Sequence, residues 1–168
     1  METRSAMYDV ALLIERALNE LDTDQIVALH EGLEDTVRYH VLLPVESSAS
    51  LMAASMGAIG GQMMPLTEPA LIEEIQDEIV QSGQEELDAT AALFTARGQE
   101  VTTKLTEDDP VEALARLVSS TGSSEAIILT QSHVVQEFFH VDWTSRAKRK
   151  LDVPTLHLVE HLPLDAQR

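Results

Sequence analysis

Residues 101–129, which read VTTKLTEDDPVEALARLVSSTGSSEAIIL, contain the pattern that decides the fold. The first five residues alternate like a half-exposed strand. Asp109, Pro110 and Glu112 then provide an N-cap, a first-turn proline and an N3 acid, which together favour a helix start. Gly122 ends that helix, and a short apolar run predicts a buried strand after it. A strand, a helix and another strand in this order predict a parallel pair joined by a crossover helix.

Other short apolar runs, each bounded by polar residues, recur along the chain. Residues 8–14 read YDVALLI and predict a buried strand, although Leu12, Arg16 and Leu21 leave a periodic helix as the alternative. Pro44 places the end of the next run at a strand terminus. The alternation with helices predicts an α/β fold with one doubly wound parallel sheet and helices on both faces. The strands are predicted near residues 8–15, 38–45, 99–106, 125–131 and 153–160.

Capping residues predict two shorter helices. Asp22-Thr-Asp24 supplies N-cap chemistry for a helix over residues 25–30. The last helix is predicted over residues 143–151, with Asp142 or Thr144 as its N-cap.

A long helix is predicted from Thr67 to Gly98, and Gly83 near its middle indicates a kink. Its apolar side consists of Ile72, Ile75, Ile79, Leu87 and Phe94. Before it, residues 47–66 are rich in methionine, glycine and other small residues, and we expect a flexible insertion there. This segment is either a methionine surface for a partner or a loop that packs loosely over the sheet edge.

Composition restricts the class of protein. A chain of 168 residues and 18.5 kDa is predicted to form a single domain over 1–168 with a sizeable core. The lack of cysteine excludes a disulfide framework, a thiolate zinc site and a cysteine nucleophile. The net charge of -18 argues against binding to nucleic acid or to an anionic membrane. The longest apolar run, Val10–Ile14, is too short to span a bilayer, and we expect a cytoplasmic protein.

The second half of the chain resembles the universal stress protein family. The matching segments are Asp109–Ala115 after a strand, Glu125–Leu129 before a motif loop, and Asp152–Leu158 as the closing strand. The first half matches in order and spacing. The resemblance implies one five-stranded domain with strand order 3-2-1-4-5. It also implies a homodimer that pairs through the closing strand at 153–160 and acts in stress response.

ATP-binding members of that family carry a glycine motif that begins where the fourth strand ends. The motif is Gly, two residues, Gly, nine residues, then Gly followed by Ser or Thr. Its glycines let backbone N–H groups approach the phosphates at a helix N-terminus. Aligned from the left, the motif falls on Thr130, His133, Trp143 and Thr144, and residues 123–168 contain no glycine. This departure predicts that the chain does not bind ATP and needs no cofactor.

A second alignment counts backwards from Pro154 and places the last motif pair on Val141-Asp142, which would put a carboxylate where phosphate should lie. The acidic residue that the family has at the end of its first strand corresponds to Glu15. The resemblance therefore defines a candidate cleft, which consists of Glu15, Thr130, Gln131, Ser132, His133, Thr144 and Ser145.

Other reactive residue types give no catalytic or metal site. Residues 146–150 hold four of the eleven cationic residues and form either an anion site or cations favoured by a helix C-terminus. The six histidines show no metal-binding spacing beside a suitable acid. Ser132 and His133 are adjacent, so their side chains diverge and do not form a nucleophile–base pair.

The predicted function is that of a universal-stress-type regulatory or binding protein that does not bind ATP. It would act as a homodimer or through a protein partner that the sequence does not identify. The alternative is a protein that binds a nucleotide, ATP or AMP, or a small anion in a degenerate cleft. An enzyme of the related nucleotide-binding superfamily is disfavoured, because the sequence contains no phosphate loop and no nucleophile–base pair.

Overall fold

The computed structural model describes residues 6–47, 69–130 and 138–160. Five parallel strands form one sheet in the order β3-β2-β1-β4-β5. The predicted fold class and strand order are therefore confirmed, and residues 8–13 lie in a strand rather than in the alternative helix. The strands are β1 (Met7–Leu13), β2 (Thr36–Pro44), β3 (Glu100–Thr106), β4 (Glu125–Thr130) and β5 (Thr155–Val159).

Helices alternate with these strands and cover both faces of the sheet. They are α1 (Glu20–Ala28), α2 (Pro69–Ala96), α3 (Pro110–Thr121) and α4 (Phe138–Lys150). None of these helices has a stretch long and apolar enough to cross a lipid bilayer. Beyond Ser47, the predicted insertion at 47–66 lies outside the described residues.

The core consists of two apolar layers, one on each face of the sheet. Alternate residues of β1 divide between them because successive side chains of a strand point to opposite faces. Val10 and Leu12 pack with Ile26 of α1 and with Leu87 and Phe94 of α2. On the other face, Ala11 and Leu13 pack against α3 and α4, and the residues that these helices bury there are Val111, Ala113, Leu114, Leu117, Val118 and Ala147.

Helix α1 begins earlier than the sequence predicts. Its N-cap is Asn19, whose side-chain oxygen accepts a hydrogen bond of 2.8 Å from the backbone N–H of Asp22. Asp22 reaches back to the N–H of Asn19 at 3.3 Å and so completes a capping box. The predicted cap at Asp22-Thr-Asp24 is wrong because those residues form the first turn of the helix instead.

Helix α2 runs without interruption through Gly83, where a kink was predicted. The helix lies so close to the sheet there that a Cβ atom would be 2.9 Å from Cδ2 of Leu105 and 3.0 Å from Cγ1 of Val45. The absence of a side chain at Gly83 therefore allows close packing between α2 and the sheet.

Helices α3 and α4 differ in how well the sequence predicts their starts. Asp109 caps α3 and Gly122 ends it in the left-handed conformation, as predicted. Helix α4 begins at Phe138 rather than Trp143, so neither Asp142 nor Thr144 is its N-cap. Both residues lie inside the helix.

Candidate functional site

The carboxyl ends of β1, β4 and β5 meet at the point where the strand order changes direction. Ligands bind to doubly wound sheets outside this edge. Thr130, the last residue of β4, is buried there, and its Oγ1 lies 2.6 Å from Nε2 of His157 on β5. Its carbonyl accepts a hydrogen bond of 2.8 Å from the backbone N–H of Glu160. Thr130 is thus anchored to β5 through both its side chain and its backbone.

Glu15 lies two residues beyond the end of β1 and is half-buried. It faces a cavity of about 290 Å³ between the carboxyl end of β2 and helix α2. The floor of this cavity is apolar and includes Leu43 and Ile79, while Glu78 and Glu86 join Glu15 around it. Three carboxylates near one cavity disfavour a phosphate group at this position.

A partly buried ion pair that the sequence does not predict bridges the same edge. Nε of Arg16, which follows β1, donates a hydrogen bond of 2.7 Å to Oε2 of Glu160, which follows β5. The Glu160 side chain has no exposed surface, whereas that of Arg16 is 38% exposed. Burial raises the pKa of Glu160 to about 7, against the opposing effect of the Arg16 guanidinium. The pair crosses the end of β4, because β4 lies between β1 and β5.

The predicted cleft residues are not all placed at this edge. Thr144 and Ser145 lie in α4 beyond its first four residues, whose N–H groups alone lack partners within a helix. Their backbone N–H groups therefore do not form an anion-binding helix start. Gln131, Ser132 and His133 lie outside the described residues, and so does any contact they make.

Two of the cationic residues near the end of α4 pair with α3. Arg146 donates hydrogen bonds of 3.2 and 3.0 Å to the two carboxylate oxygens of Asp109, and Lys150 pairs with Glu112. These contacts tie the C-terminal half of α4 to the N-terminus of α3. They favour a structural role for Arg146 and Lys150 over the anion site that the sequence left open.

A line of hydrogen bonds joins three strands on the face that carries α3. Oδ1 of Asp9 accepts from Nε of Arg38 and from Nε2 of His40, both at 2.7 Å, and Nδ1 of His40 lies 2.6 Å from Oγ1 of Thr102. Burial acts to raise the pKa of Asp9, but the hydrogen bonds from Arg38 and His40 outweigh it and lower that pKa. The arrangement holds β1, β2 and β3 in register.

A second network lies at the amino ends of β1 and β4. Nδ1 of His30 lies 2.9 Å from both the carbonyl of Ile26 and the hydroxyl of Tyr39, and Nε2 of His30 contacts Glu125. The hydroxyl of Tyr8 donates to Glu125 at 3.2 Å. The hydrogen bond from His30 lowers the pKa of Glu125 despite its burial. Both ring nitrogens of His30 are used within the protein. Among the described residues, no group of three acids or histidines forms a metal site.

The fold and the position of the edge can be compared with known proteins. No protein-family profile matches the sequence, and no curated protein matches it. A universal stress protein family member from Burkholderia pseudomallei matches in structure with a TM-score of 0.56 and 17% sequence identity, over 90% of this chain and 96% of that one. The chain therefore has a universal stress protein-like fold.

Two further universal stress protein structures have bound nucleotides. The protein from Archaeoglobus fulgidus in complex with dAMP has a TM-score of 0.55 and 12% identity, over 91% of this chain and 98% of that one. A family protein from Arabidopsis thaliana with AMP bound has a TM-score of 0.52 and 9% identity, over 96% of this chain and 95% of that one. At identities this low, the structural similarity establishes the universal stress protein-like fold alone. The ligand has to be argued from the residues of this chain.

Proposed function

We propose that this chain is a regulatory or binding protein of the universal stress type that does not bind ATP and acts as a homodimer in stress response. The observation that carries the proposal is the Arg16–Glu160 pair at the carboxyl edge of the sheet. In a phosphate site, a cation at this edge would face the ligand. Here Arg16 is held by a carboxylate of the same chain, so its charge is already compensated.

The residues around the pair support the same proposal. Thr130 stands where the family's ATP motif has its first glycine, and residues 123–168 contain no glycine. A side chain at Thr130 disfavours the positive φ that would turn backbone N–H groups towards phosphate. Glu15 adds a negative charge beside the same edge, and the chain as a whole carries a net charge of -18. Each of these features weakens the binding of a polyanion.

The homodimer is proposed from the position of β5 at one end of the sheet. An edge strand presents backbone groups that can pair with another chain. Two consecutive residues of β5, Leu156 and His157, are exposed, and neither carries the permanent charge that commonly blocks edge pairing. Antiparallel pairing of two β5 strands about a two-fold axis would satisfy these groups and cover Leu156.

The second candidate function is the binding of a nucleoside monophosphate or a small anion at the same edge. The dAMP and AMP complexes of the two structural neighbours favour it. A monophosphate needs fewer hydrogen-bond donors than a triphosphate, so fewer glycines would be required. We propose no enzymatic activity, because the sequence contains no phosphate loop and the one hydroxyl seen paired with a histidine among the described residues at this edge, that of Thr130 with His157, belongs to a buried residue.

Equilibrium dialysis with labelled ATP and labelled AMP at pH 8 separates the two candidates. The proposed function predicts that neither nucleotide is retained at protein concentrations of about 0.1 mM, because two missing charge-assisted hydrogen bonds weaken phosphate binding by about a hundredfold or more. Retention of AMP alone would favour the second candidate. Retention of ATP would overturn the first.

A further inference from the structure

Glu160 is unusual because it is a completely buried acid with only one of its two oxygens satisfied. Oε2 accepts the hydrogen bond from Nε of Arg16. Oε1 is buried and has no hydrogen-bond partner in the part of the chain that the structure describes. A buried carboxylate normally has hydrogen bonds to both oxygens, and an unsatisfied one destabilises the charged form. The geometry therefore makes Glu160 easier to protonate than an exposed acid.

The charges that face Glu160 act in both directions. Arg16 and Glu15 come from the connection between β1 and α1, and Asp22 comes from the first turn of α1. From β4, the carbonyl of Thr130 accepts the backbone N–H of Glu160, and the neutral hydroxyl of Thr130 is hydrogen-bonded to His157 of β5. Burial is the main cause that raises the pKa of Glu160, Arg16 opposes it, and the two acids add to it.

Loss of the charge on Glu160 would change the state of Arg16. The guanidinium would lose its ionic partner while it remains 38% exposed at the sheet edge. Arginine presents a planar fork of N–H donors that matches the oxygens of phosphate or sulfate. An external oxyanion can then bind the exposed part of the Arg16 guanidinium, while the protonated Glu160 side chain stays buried.

We propose that Arg16 and Glu160 form a proton-gated oxyanion site, in which Glu160 holds the guanidinium when ionised and releases it to a phosphate-class anion when protonated. This site rests on the proposed function in one respect, which is that ATP does not bind tightly at pH 8. The proposal adds that the ligand is a phosphate-class anion and that this anion binds below neutral pH. The ligand must be small, since Glu15 and Asp22 stay nearby.

Sulfate is the probe that tests this site, because it keeps the same charge at pH 6 and pH 8. Binding is followed by NMR titration of the Arg16 Nε–H signal, with ionic strength held constant by chloride. If only the protonated form of Glu160 binds and its pKa is about 7, the apparent Kd is about tenfold higher at pH 8 than at pH 6. An equal Kd at the two pH values would overturn the proposal.

Variants test whether Glu160 controls anion binding and whether Arg16 binds the anion. Glu160→Gln removes the titration, so we expect it to bind sulfate at pH 8 as tightly as the wild type does at pH 6. Arg16→Gln should bind sulfate at neither pH, as followed by calorimetry. Arg97→Gln is the matched control, because Arg97 pairs with Asp24 elsewhere on the surface and should leave the pH dependence unchanged. Weak binding by Glu160→Gln at both pH values would contradict the gate.

A measurement on the wild type keeps the proposal testable if Glu160→Gln does not fold. Because the anion would bind only the protonated form, sulfate must raise the apparent pKa of Glu160 by the reciprocal linkage. The carboxyl ¹³C signal of Glu160 reports this pKa directly, and an unchanged midpoint in saturating sulfate would overturn the site. AMP competing with sulfate at pH 6, while adenosine does not, identifies a nucleotide phosphate as the source. If AMP does not compete with sulfate, the ligand of the site is a free oxyanion and not the phosphate of a nucleotide.

Discussion

At the scale of single residues, Asp9 joins β1 to two basic side chains of β2. We expect Asp9→Asn to lower the free energy of unfolding by about 1–3 kcal/mol at pH 7, because Arg38 and His40 both lose their charged acceptor. Urea unfolding followed by circular dichroism measures this change. Asp108→Asn is the matched control, since its pair with Arg116 is exposed and should contribute only about 0–1 kcal/mol.

The same residue predicts how the loss depends on pH. The pKa of Asp9 is lowered by folding, so its stabilising effect is present above its ordinary value of 3.8 and is lost as the pH falls through the lowered pKa. The difference between wild type and Asp9→Asn that comes from this carboxylate should therefore hold from pH 7 down to the ordinary value of 3.8 and shrink below it. A difference that grows towards acid pH, or an equal loss in Asp108→Asn, would contradict this account.

Contacts between single residues that are far apart in the sequence are the feature that the sequence did not predict. The resemblance to the universal stress protein family placed Glu15 at the end of the first strand and Thr130 at the first glycine position of the motif. Arg16 and Glu160 are 144 positions apart, and nothing local in the sequence indicates that they pair. A search for charged residues at or just beyond the carboxyl ends of the predicted strands would have found both, because Arg16 follows the predicted strand 8–15 and Glu160 ends the predicted strand 153–160.

At the scale of elements, the start of helix α3 depends on Asp109. Its Oδ1 accepts from the N–H groups of Val111 at 3.1 Å and Glu112 at 3.0 Å, and its carboxylate also holds Arg146 of α4. We expect Asp109→Ala to lower the free energy of unfolding by about 1–2 kcal/mol, since it removes the cap. Asp109→Asn retains a capping oxygen and should cost about 0.5 kcal/mol through the weakened pair with Arg146. Equal losses in the two variants, measured by urea unfolding, would contradict a capping role.

The packing of helix α2 on the sheet depends on Gly83. Valine has a better intrinsic helix propensity than glycine, so propensity alone predicts that Gly83→Val is neutral or stabilising. We expect a loss of about 1–3 kcal/mol instead, because the new side chain would overlap Leu105 and Val45. Gln81→Val on the exposed side of α2 is the control and should cost less than about 0.7 kcal/mol. A thermal melt in which Gly83→Val gains stability would refute the close approach.

Elements were predicted well where caps and periodicity agree, as at Asp109 and Gly122. Helix α4 was predicted to start at Trp143 because Asp142 and Thr144 are typical caps, yet the helix begins at Phe138. Typical cap residues do not interrupt a helix that is stabilised by the packing of its buried face. In α4 this face includes Ala147. The start of α1 was predicted too late because Asp22 is a typical N-cap residue. In the structure Asp22 is the N3 residue of a capping box, and Asn19 is the N-cap.

At the scale of the whole molecule, we expect a homodimer that forms through β5. Sedimentation equilibrium should give a mass of about twice 18.5 kDa. Leu156→Lys places a charge at the edge and should shift the protein towards monomer. Leu71→Lys is the control, because Leu71 is similarly exposed, at 47% against 42%, but lies on α2. A wild-type mass of 18.5 kDa at all concentrations would exclude this dimer.

We propose that this chain uses a universal stress protein-like fold without binding ATP. The lack of ATP binding depends on the loss of the backbone geometry that glycines provide and on an edge where Arg16 is already engaged by Glu160. Each missing charge-assisted hydrogen bond weakens binding by about 1.5–3 kcal/mol, so the loss of two weakens it by on the order of a hundredfold or more.

Isothermal titration calorimetry with Mg-ATP, at pH 8 and physiological salt, tests this claim most directly. At that pH Glu160 is mostly ionised and holds Arg16, so the proton-gated site does not contribute. We expect no saturable binding at Mg-ATP concentrations up to about 1 mM. A dissociation constant in the low micromolar range would contradict it.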